Sequence, residues 1–574
     1  MMQADVVLAA LAILILAASV PLLARRLALS RAKHPSLRGH ARIARWVAAR
    51  IPGYTFDDAE FFAVDGAPPA VAECRRRGFV ALAALYRARF AQTAAATRDL
   101  LPAVPDLEFT SCYRVPFPFS AVVRRDLGAG AFVQASSGVE IEDLDRNRFY
   151  DLAGSYGVNL LGHDFYRNCI RDAVARVDPL GAVLGPYHPV VRENVDRLRA
   201  ISGLDAVSFH MSGTEAVMQA VRLARYHTRR RRLVRFCGAY HGWWGDVQPG
   251  IGNPLPAPAT WTLRDMDARS LTVLRHSRDV ACVLVNPLQA LHPNASAPAD
   301  SALVDSSRAA HVDRAAYSAW LRQLREVCDE RGIVLIVDEV FTGFRLAAGG
   351  AQEYFGVRAD MVTYGKTLGG GLPVGVLCGR RSLMRRFRPE RPVDICFARG
   401  TFNAHPYVMA AMAGFLAHLE SPAGQALYRD LDARWNARAR RLNDKLAEAG
   451  VPVRIANLST IWTVCFSQPS RYNWMLQYYL RAEGLALSWV GSGRLIFSLN
   501  YTDTDFDAVC AAFLRAAIAM NDDGWWWRGP MLSDKAIRRR ILREIVTHRR
   551  HPRAPSTVSA QAFHGVDELP PQEM

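Results

Sequence analysis

The chain has 574 residues, a formal net charge of +17 and a composition that is 50% hydrophobic. This length exceeds one ordinary domain, and the apolar content excludes a disordered protein because it can fill large cores. The ten cysteines are scattered, with no C-x-x-C pair and no zinc-like grouping with histidine, so we expect neither a disulfide scaffold nor a metal site.

The first predicted element is a membrane anchor. Residues 6–24, VVLAALAILILAASVPLLA, carry no charge and are long enough to cross a bilayer as a helix. Asp5 precedes this run and Arg25 and Arg26 follow it, which is the reverse of a secretory signal peptide. The positive-inside rule then places the rest of the chain in the cytoplasm. We predict residues 1–24 as a single-pass anchor in the inner (cytoplasmic) membrane, with a cleaved signal or a packing helix as the alternative.

Two basic clusters lie outside the central part of the chain. A helical juxtamembrane extension is predicted for 25–110, and its first part, 25–50, has eight basic residues and no acid. Anionic lipid headgroups attract such a segment. The second cluster, IRRRILREIVTHRRHPR, belongs to a basic tail over 526–574 that we expect to be disordered from about 548. Nucleic acid is the rival partner, but these clusters flank the fold and line no recognition module.

The remaining predicted elements describe an α/β protein. The segment VEIEDLDRNRFYDLAG alternates like a hairpin with its turn at Asp145–Asn147. From 205 onward short apolar strands alternate with amphipathic helices, which predicts a large, mixed but mostly parallel sheet with function at the strand ends. The predicted strands are AVSFHMSG, LVRFCGAYHG, VACVLVNPL, IVLIVDEV and DMVTYGK. We assign 111–165 and 401–525 to a smaller α+β domain, 166–400 to the large domain, and 290–307 to a surface loop.

A single lysine stands at one of these strand ends. The chain contains only four lysines, Lys33, Lys366, Lys445 and Lys535, among 71 basic residues. A lysine amine, unlike an arginine, can lose its proton and attack a carbonyl to form an imine. A nucleotide-binding P-loop is excluded in TYGKTLGGGLPVG, because that loop needs glycine where this chain has Asp360.

Other strand ends supply the remaining parts of a pyridoxal 5′-phosphate site. Such a site needs a lysine, an acid against the pyridine nitrogen, a phosphate cradle and an aromatic cover. Each candidate has an ordinary structural alternative, such as a helix cap, a metal ligand or a core tyrosine. Their occurrence together favours the cofactor site, with these candidates: Asp338 for the acid, Ser212, Gly213 and Thr214 for the phosphate, and Tyr240 with His241 for the ring.

These motifs resemble the class III aminotransferases of pyridoxal phosphate fold type I, in particular the glutamate-1-semialdehyde aminomutase-like branch. The resemblance covers about 140–515 and includes SGTEAVMQAVRLAR, YHG, DEVFTGFRLAAGGAQEYFGV, DMVTYGKTLGGGLPVG and GTFNAHPYVMAAMA. It implies that Lys366 binds the cofactor aldehyde and later moves a proton, and that Asp338 pairs with the ring nitrogen. Tyr240 and His241 then lie at the ring, with Ser212, Gly213 and Thr214 at the phosphate.

The resemblance also implies a homodimer and a substrate pocket. Thr401 matches a residue that reaches the phosphate held by the partner subunit. Ser155 and Tyr156 match positions near the family's substrate. The chain departs from the family at Asn286–Pro287, where Glu-Pro is usual, and at Trp243–Trp244.

We predict a membrane-anchored aminotransferase that moves an amino group from an amino acid to an aldehyde or ketone. The anchor, the insert and the tryptophans favour an acyl, lipid-like or carrier-bound substrate. A glutamate-1-semialdehyde-type 2,1-aminomutase and a non-catalytic membrane scaffold of the same fold are the alternatives.

Overall fold

The computed structural model describes residues 2–33, 53–112, 114–128, 130–248, 259–291, 310–487, 494–529 and 532–550. The α-helices are α1 Met2–Ala32, α2 Asp58–Ala63, α3 Pro69–Arg89, α4 Ala91–Leu100, α5 Pro105–Cys112, α6 Ser120–Asp126, α7 His163–Val177, α8 Val190–Ser202, α9 Gly213–Thr228, α10 Ala268–His276, α11 Arg314–Arg331, α12 Gly350–Phe355, α13 Arg381–Met384, α14 Pro406–Glu420, α15 Pro422–Tyr428, α16 Leu431–Glu448, α17 Leu476–Ala482, α18 Asp503–Asp522 and α19 Asp534–Arg550. The strands are β1 Ala135–Ser137, β2 Glu140–Glu142, β3 Arg148–Asp151, β4 Ala206–His210, β5 Arg232–Phe236, β6 Thr260–Leu263, β7 Val280–Val285, β8 Val334–Asp338, β9 Met361–Gly365, β10 Gly375–Gly379, β11 Phe387–Arg388, β12 Arg391–Ile395, β13 Val453–Leu458, β14 Ile461–Phe466, β15 Leu485–Ala486 and β16 Arg494–Ile496.

A seven-stranded sheet forms the centre of the large domain, in the order β4-β10-β9-β8-β7-β5-β6. Strands β5 to β9 run parallel, and β10 is antiparallel to both of its neighbours. Strands β7 to β10 are buried along their whole length, as expected when helices cover both faces of a sheet. All five predicted strands lie in this sheet, which confirms the α/β fold class and its mostly parallel sheet.

Local sequence signals set the ends of the helices around the sheet. Ser212 is the N-cap of α9, and its hydroxyl accepts a hydrogen bond from the Glu215 amide at 3.3 Å. Helix α11 ends at Gly332, whose φ of 58° is the left-handed conformation that glycine adopts without a steric penalty. These caps fix where the chain turns from strand to helix at the edge of the sheet.

Two smaller sheets complete the α+β region. One has the order β13-β14-β16, and the other joins the β1–β2–β3 hairpins to β15. The predicted turn is confirmed: Arg146 has a φ of 65°, and the Asp143 carboxylate accepts the amides of Asp145 at 3.0 Å and Asn147 at 2.9 Å. The sequence boundaries of the domains stay predictions.

Helices α2 to α6 form an N-terminal extension that packs with α19 against the smaller domain. The Arg471 side chain, 1% exposed, joins these parts because it bonds Asp65 at 3.0 Å and Glu544 at 2.7 and 2.8 Å. Residues 548–550 belong to α19, so the prediction of disorder from 548 was wrong for these three residues. Ala290 and Leu291 are buried in the 3-10 turn Pro287–Leu291, so the prediction of a surface loop over 290–307 was wrong for these two residues. The rest of that loop, the tail from 551 and residues 34–52 lie outside the described residues.

Helix α1 leaves the globular body at its C-terminal end. Ala32 is fully buried, and its carbonyl accepts the Arg264 amide at 2.9 Å just before α10. Among the side chains of α1 that the structure describes, residues 13–17 and 20–28 are exposed, and Leu14 is 69% accessible. Over Ile13–Ala32 the helix is long and apolar enough to cross a membrane, by length and composition alone.

Candidate active site

Adjacent strand ends bring the predicted lysine and acid together. Strands β8 and β9 are parallel, and Asp338 pairs in register with Thr363, three residues before Lys366. The Thr363 hydroxyl donates to Asp338 Oδ1 at 3.2 Å. The structure therefore places the two residues at one edge of the sheet, close enough for the Asp338 charge to act on the Lys366 amine.

The Asp338 carboxylate is buried and held by donors. His241 Nδ1 lies 2.8 Å from Oδ2, and the Val340 amide donates to Oδ1 at 3.1 Å. Burial lowers the pKa of His241 although Asp338 opposes this shift, so the imidazole is neutral with its Nδ1 proton directed at the acid. Within the described part of the chain, His241 Nε2 is buried without a hydrogen-bond partner.

The Lys366 amine is shifted toward its neutral form. Burial lowers its pKa, the Asp338 carboxylate raises it, and the Arg345 cation lowers it again. Its Nζ lies 5.5 Å from the centroid of the Phe341 ring. A Cβ at Gly157 would lie 3.3 Å from Lys366 Cδ and 2.6 Å from Phe341, so only glycine allows this approach. A desolvated, partly neutral lysine is suited to nucleophilic attack.

The start of α9 forms the predicted phosphate cradle. The Gly213 and Thr214 amides belong to the first helical turn, which provides no carbonyl partners for them, and the helix dipole adds positive potential there. A Cβ at Gly213 would lie 2.5 Å from Val340, two residues beyond Asp338. A Cβ at Gly242 would lie 2.4 Å from the Thr214 hydroxyl. The first turn of α9 therefore lies tightly against both the acid and the Tyr240–His241 loop.

Two aromatic side chains next to the buried His241 are exposed. Tyr240 is 57% exposed and Trp243 is 76% exposed, whereas the neighbouring His241 is buried. Asn286 donates to the Tyr240 carbonyl at 2.9 Å and accepts the Leu288 amide at 3.1 Å. The residue that replaces the family's glutamate thus fixes the backbone of the loop that carries Tyr240.

The predicted substrate residues lie on a strained turn next to the lysine. Ser155 and Tyr156 have φ values of 46° and 56°, between Gly154 and Gly157, which also have positive φ. This turn contacts Lys366 through Gly157. Left-handed backbone at residues other than glycine is costly and concentrates at functional sites.

Thr401 is exposed in the turn before α14. Its predicted contact with a partner subunit's cofactor involves a second chain and stays a prediction.

Sequence reasoning missed Arg345, although the quoted motif DEVFTGFRLAAGG contains it. Arg345 is 1% exposed, and burial lowers its pKa to about 10, which leaves it cationic at neutral pH. Its guanidinium donates to the carbonyls of Gly157 at 3.2 Å, Asn159 at 3.1 Å and Phe497 at 2.6 Å. The arginine therefore connects the turn that contacts the lysine to the smaller domain. No sequence signal marked Arg345, because its burial is not visible in the sequence.

These residues fit pyridoxal 5′-phosphate. The site combines a desolvated amine, a hydrogen-bonded carboxylate that can face a ring nitrogen, and a helix start that suits a dianion. Among the described residues, the buried His241 Nε2 next to the acid has no hydrogen-bond partner, and the lack of a Cβ at Gly213 lets the start of α9 approach Val340 closely.

Comparison with known proteins agrees with this geometry. Residues 123–517 match the family model described as aminotransferase class-III. The match begins inside α6 and ends within α18, which agrees with the predicted extent of about 140–515.

Curated relatives and solved structures point the same way. Glutamate-1-semialdehyde 2,1-aminomutase of Alkaliphilus oremlandii is 36% identical over 313 residues, covering 51% of this chain and 68% of that protein. The protein of the same name from Nitratidesulfovibrio vulgaris is 33% identical over 419 residues, covering 69% and 95%. A solved transaminase with PLP bound is 26% identical with a TM-score of 0.56, covering 68% of this chain and 90% of that chain.

Proposed function

Because the chain belongs to the class III aminotransferase family, and is thus a pyridoxal 5′-phosphate enzyme of the aminotransferase or aminomutase type, we propose that it transfers an amino group between an amino acid and an aldehyde or ketone. The observation that carries this proposal is the desolvated Lys366 amine beside the hydrogen-bonded Asp338 carboxylate. All the site residues of the large domain are present and adjacent, which argues against a non-catalytic scaffold.

The cofactor supplies an aldehyde for amines and a ring that withdraws electrons from the reacting carbon. In our proposal Lys366 holds that aldehyde and, once displaced by the substrate, moves the proton. Asp338 keeps the ring nitrogen protonated, and His241 orients the Asp338 carboxylate through the 2.8 Å hydrogen bond. Ser212, Gly213 and Thr214 are assigned to the phosphate.

Tyr240 is assigned to the face of the cofactor ring, where its exposed side chain can cover a bound molecule. Ser155 and Tyr156 are assigned to the substrate, because their turn contacts Lys366 through Gly157.

An aminomutase of the semialdehyde type is the second candidate, and the identity of 33–36% to proteins of that name favours it. Dependence on an amino donor separates the two activities. Purified enzyme is mixed with single amino acids, and absorbance reports whether the cofactor loses its aldehyde. In a transaminase, one or more donors convert the cofactor from its aldehyde to its amine form, and the enzyme then aminates an added aldehyde. Turnover of glutamate-1-semialdehyde without any donor would identify the mutase instead.

An acyl or lipid-like acceptor is part of the proposal, supported by the exposed aromatic side chains of Tyr240 and Trp243. Aldehydes of increasing chain length are compared at a fixed donor concentration. We expect kcat/KM to rise by about threefold to fourfold for each methylene that is buried. A flat or falling series would contradict a lipid-like substrate.

We place the enzyme at the inner membrane, with α1 as its single anchor and the active site in the cytoplasm. The proposal rests on the apolar, exposed helix and on the arginines that follow it. Full-length protein is expected in the membrane fraction after a carbonate wash. A chain without residues 1–24 should be released from membranes by the carbonate wash while it still binds cofactor, and its retention after the wash would contradict the anchor.

A homodimer is proposed because Thr401 and several apolar side chains are exposed together on the same part of the chain. Val393 is 92% exposed, Phe397 66% and Phe402 50%. We expect sedimentation at the mass of two chains. Mixed dimers of Lys366→Ala and Thr401→Ala chains test the shared site, since only one of their two sites would be intact. A monomer with full activity would contradict this assignment.

A further inference from the structure

The C-terminal helix α19 has two different faces. Its inward face carries Ile537, fully buried, and Ile541, 8% exposed. Glu544 lies on the same face and bonds both Arg471 and Tyr54. The helix has two acids, Asp534 in the first turn and Glu544 near the middle. The Glu544 carboxylate therefore binds the helix to the rest of the protein.

The outward face is basic and apolar together. Lys535, Arg539 and Arg543 are exposed, and Leu542 and Val546 between them are 61% and 51% exposed. Their spacing in an α-helix places all five on one stripe about 100° wide. The stripe contains no acid, since the acids of the helix lie at positions 534 and 544.

The inward contacts fix the orientation of this stripe. The Arg471 side chain is 1% exposed and bonds Glu544 together with Asp65 of the extension. Tyr54 contacts the His548 ring at 6.2 Å and the Phe117 ring at 5.4 Å, so the second half of the helix is also packed. Arg540 pairs with Asp65 at 3.7 Å, whereas Lys535, Arg539, Leu542, Arg543 and Val546 face the surroundings.

We propose that the stripe Lys535–Arg539–Leu542–Arg543–Val546 binds the surface of an anionic lipid bilayer. Three cations match anionic headgroups, and the two aliphatic side chains can enter the headgroup–acyl boundary. The aliphatic pair favours a bilayer over nucleic acid, which offers phosphate but no apolar phase on its exterior. This surface is separate from α1, and it would hold the smaller domain close to the membrane independently of the anchor.

The test uses the full-length chain with cofactor on phosphatidylcholine vesicles with and without 30% phosphatidylglycerol. A photoreactive p-benzoylphenylalanine replaces Val546, and in a separate chain it replaces Val80, an exposed aliphatic residue on α3. Lipid adducts are measured by mass spectrometry. On anionic vesicles we expect a lipid adduct at position 546. Its yield should be at least tenfold higher than on pure phosphatidylcholine vesicles and at least tenfold higher than that of the probe at position 80.

Charge variants sharpen the test. The variant Lys535→Gln, Arg539→Gln, Arg543→Gln should weaken binding of the stripe on the order of 100-fold, at about fivefold for each cation, and abolish the adduct. The matched control Arg77→Gln, Arg440→Gln, Lys445→Gln removes the same charge from other exposed helix positions and should leave the adduct unchanged.

The possible failures are distinguishable. If the chain sediments with vesicles but gives no adduct at position 546, or gives equal adduct on both lipids, the proposed lipid binding by the stripe is refuted. The membrane anchor α1 is unaffected by that result. An adduct to added tRNA in place of lipid would overturn the lipid assignment. Chains that bind only anionic vesicles would support the stripe and contradict the anchor.

Discussion

Replacement of Arg345 tests how the active site is held together. Its guanidinium donates to three buried carbonyls and to the Thr460 hydroxyl at 3.2 Å. Arg345→Gln leaves most of these acceptors without a donor, at about 1–3 kcal/mol each. Because glutamine keeps a single donor group, an amide with two N–H bonds, we expect a loss of roughly 4 kcal/mol, a large part of the 5–15 kcal/mol typical of folded proteins.

The same variant should affect the chemistry. In this variant the Gly157 carbonyl loses the donor that fixes the turn next to Lys366. A displacement of about 1 Å near reacting atoms costs on the order of 100-fold in rate. Loss of the Arg345 cation also raises the pKa of the Lys366 amine, because that cation lowers it. The pH at which apoenzyme captures the cofactor at half its maximal rate should therefore move upward.

Urea unfolding, kcat and the pH profile of cofactor capture measure these three effects. Arg345→Lys is the matched control, because it keeps the charge but cannot serve four acceptors. We expect it to lose stability and kcat with little change in the pH profile. If Arg345→Gln keeps its stability within about 0.5 kcal/mol and its kcat unchanged, the assigned role of this arginine is refuted.

Two further predictions concern stability. His210 is buried, and burial lowers its pKa to about 4, so the unfolded chain binds an additional proton as pH falls below about 6.5. The free energy of unfolding, measured by denaturant titration, should therefore fall by roughly 3 kcal/mol between pH 6.5 and 4. In His210→Asn the fall over this pH range should be smaller, and an unchanged pH dependence in that variant would contradict the role of His210. Arg471→Met leaves the Asp65 and Glu544 carboxylates without their shared cation and should cost about 3–5 kcal/mol. Combining it with Asp65→Asn and Glu544→Gln should restore much of that loss, and equal stability of wild type and Arg471→Met would contradict the ion-pair assignment.

Short-range patterns were sufficient to predict the centre of this fold. Apolar runs that end in Asp338 and just before Lys366 predicted buried parallel strands, and neighbouring parallel strands must end at one edge. Ser212 before Gly213 predicted the helix start by its capping chemistry. These residues could be assigned because their signals lie within a few positions of one another.

Long-range contacts were not predictable in this way. Arg345 meets Phe497 across 152 positions, and Arg471 meets Asp65 across 406. Nothing local in the sequence indicates such pairs. Helix α19 was predicted only as part of a basic tail because its composition is polar, whereas its order depends on the buried bonds of Glu544. The part of the site that could not be predicted is therefore the part that positions the reacting groups.

Identification of the lysine that carries the cofactor tests the central claim most directly. Holoenzyme is treated with borohydride, digested and analysed by mass spectrometry, and the four lysines of the chain make the assignment unambiguous. We expect the phosphopyridoxyl label on Lys366 alone, and neither label nor visible chromophore in Lys366→Ala. A label on Lys33, Lys445 or Lys535, or a reducible chromophore that persists in Lys366→Ala, would contradict the account.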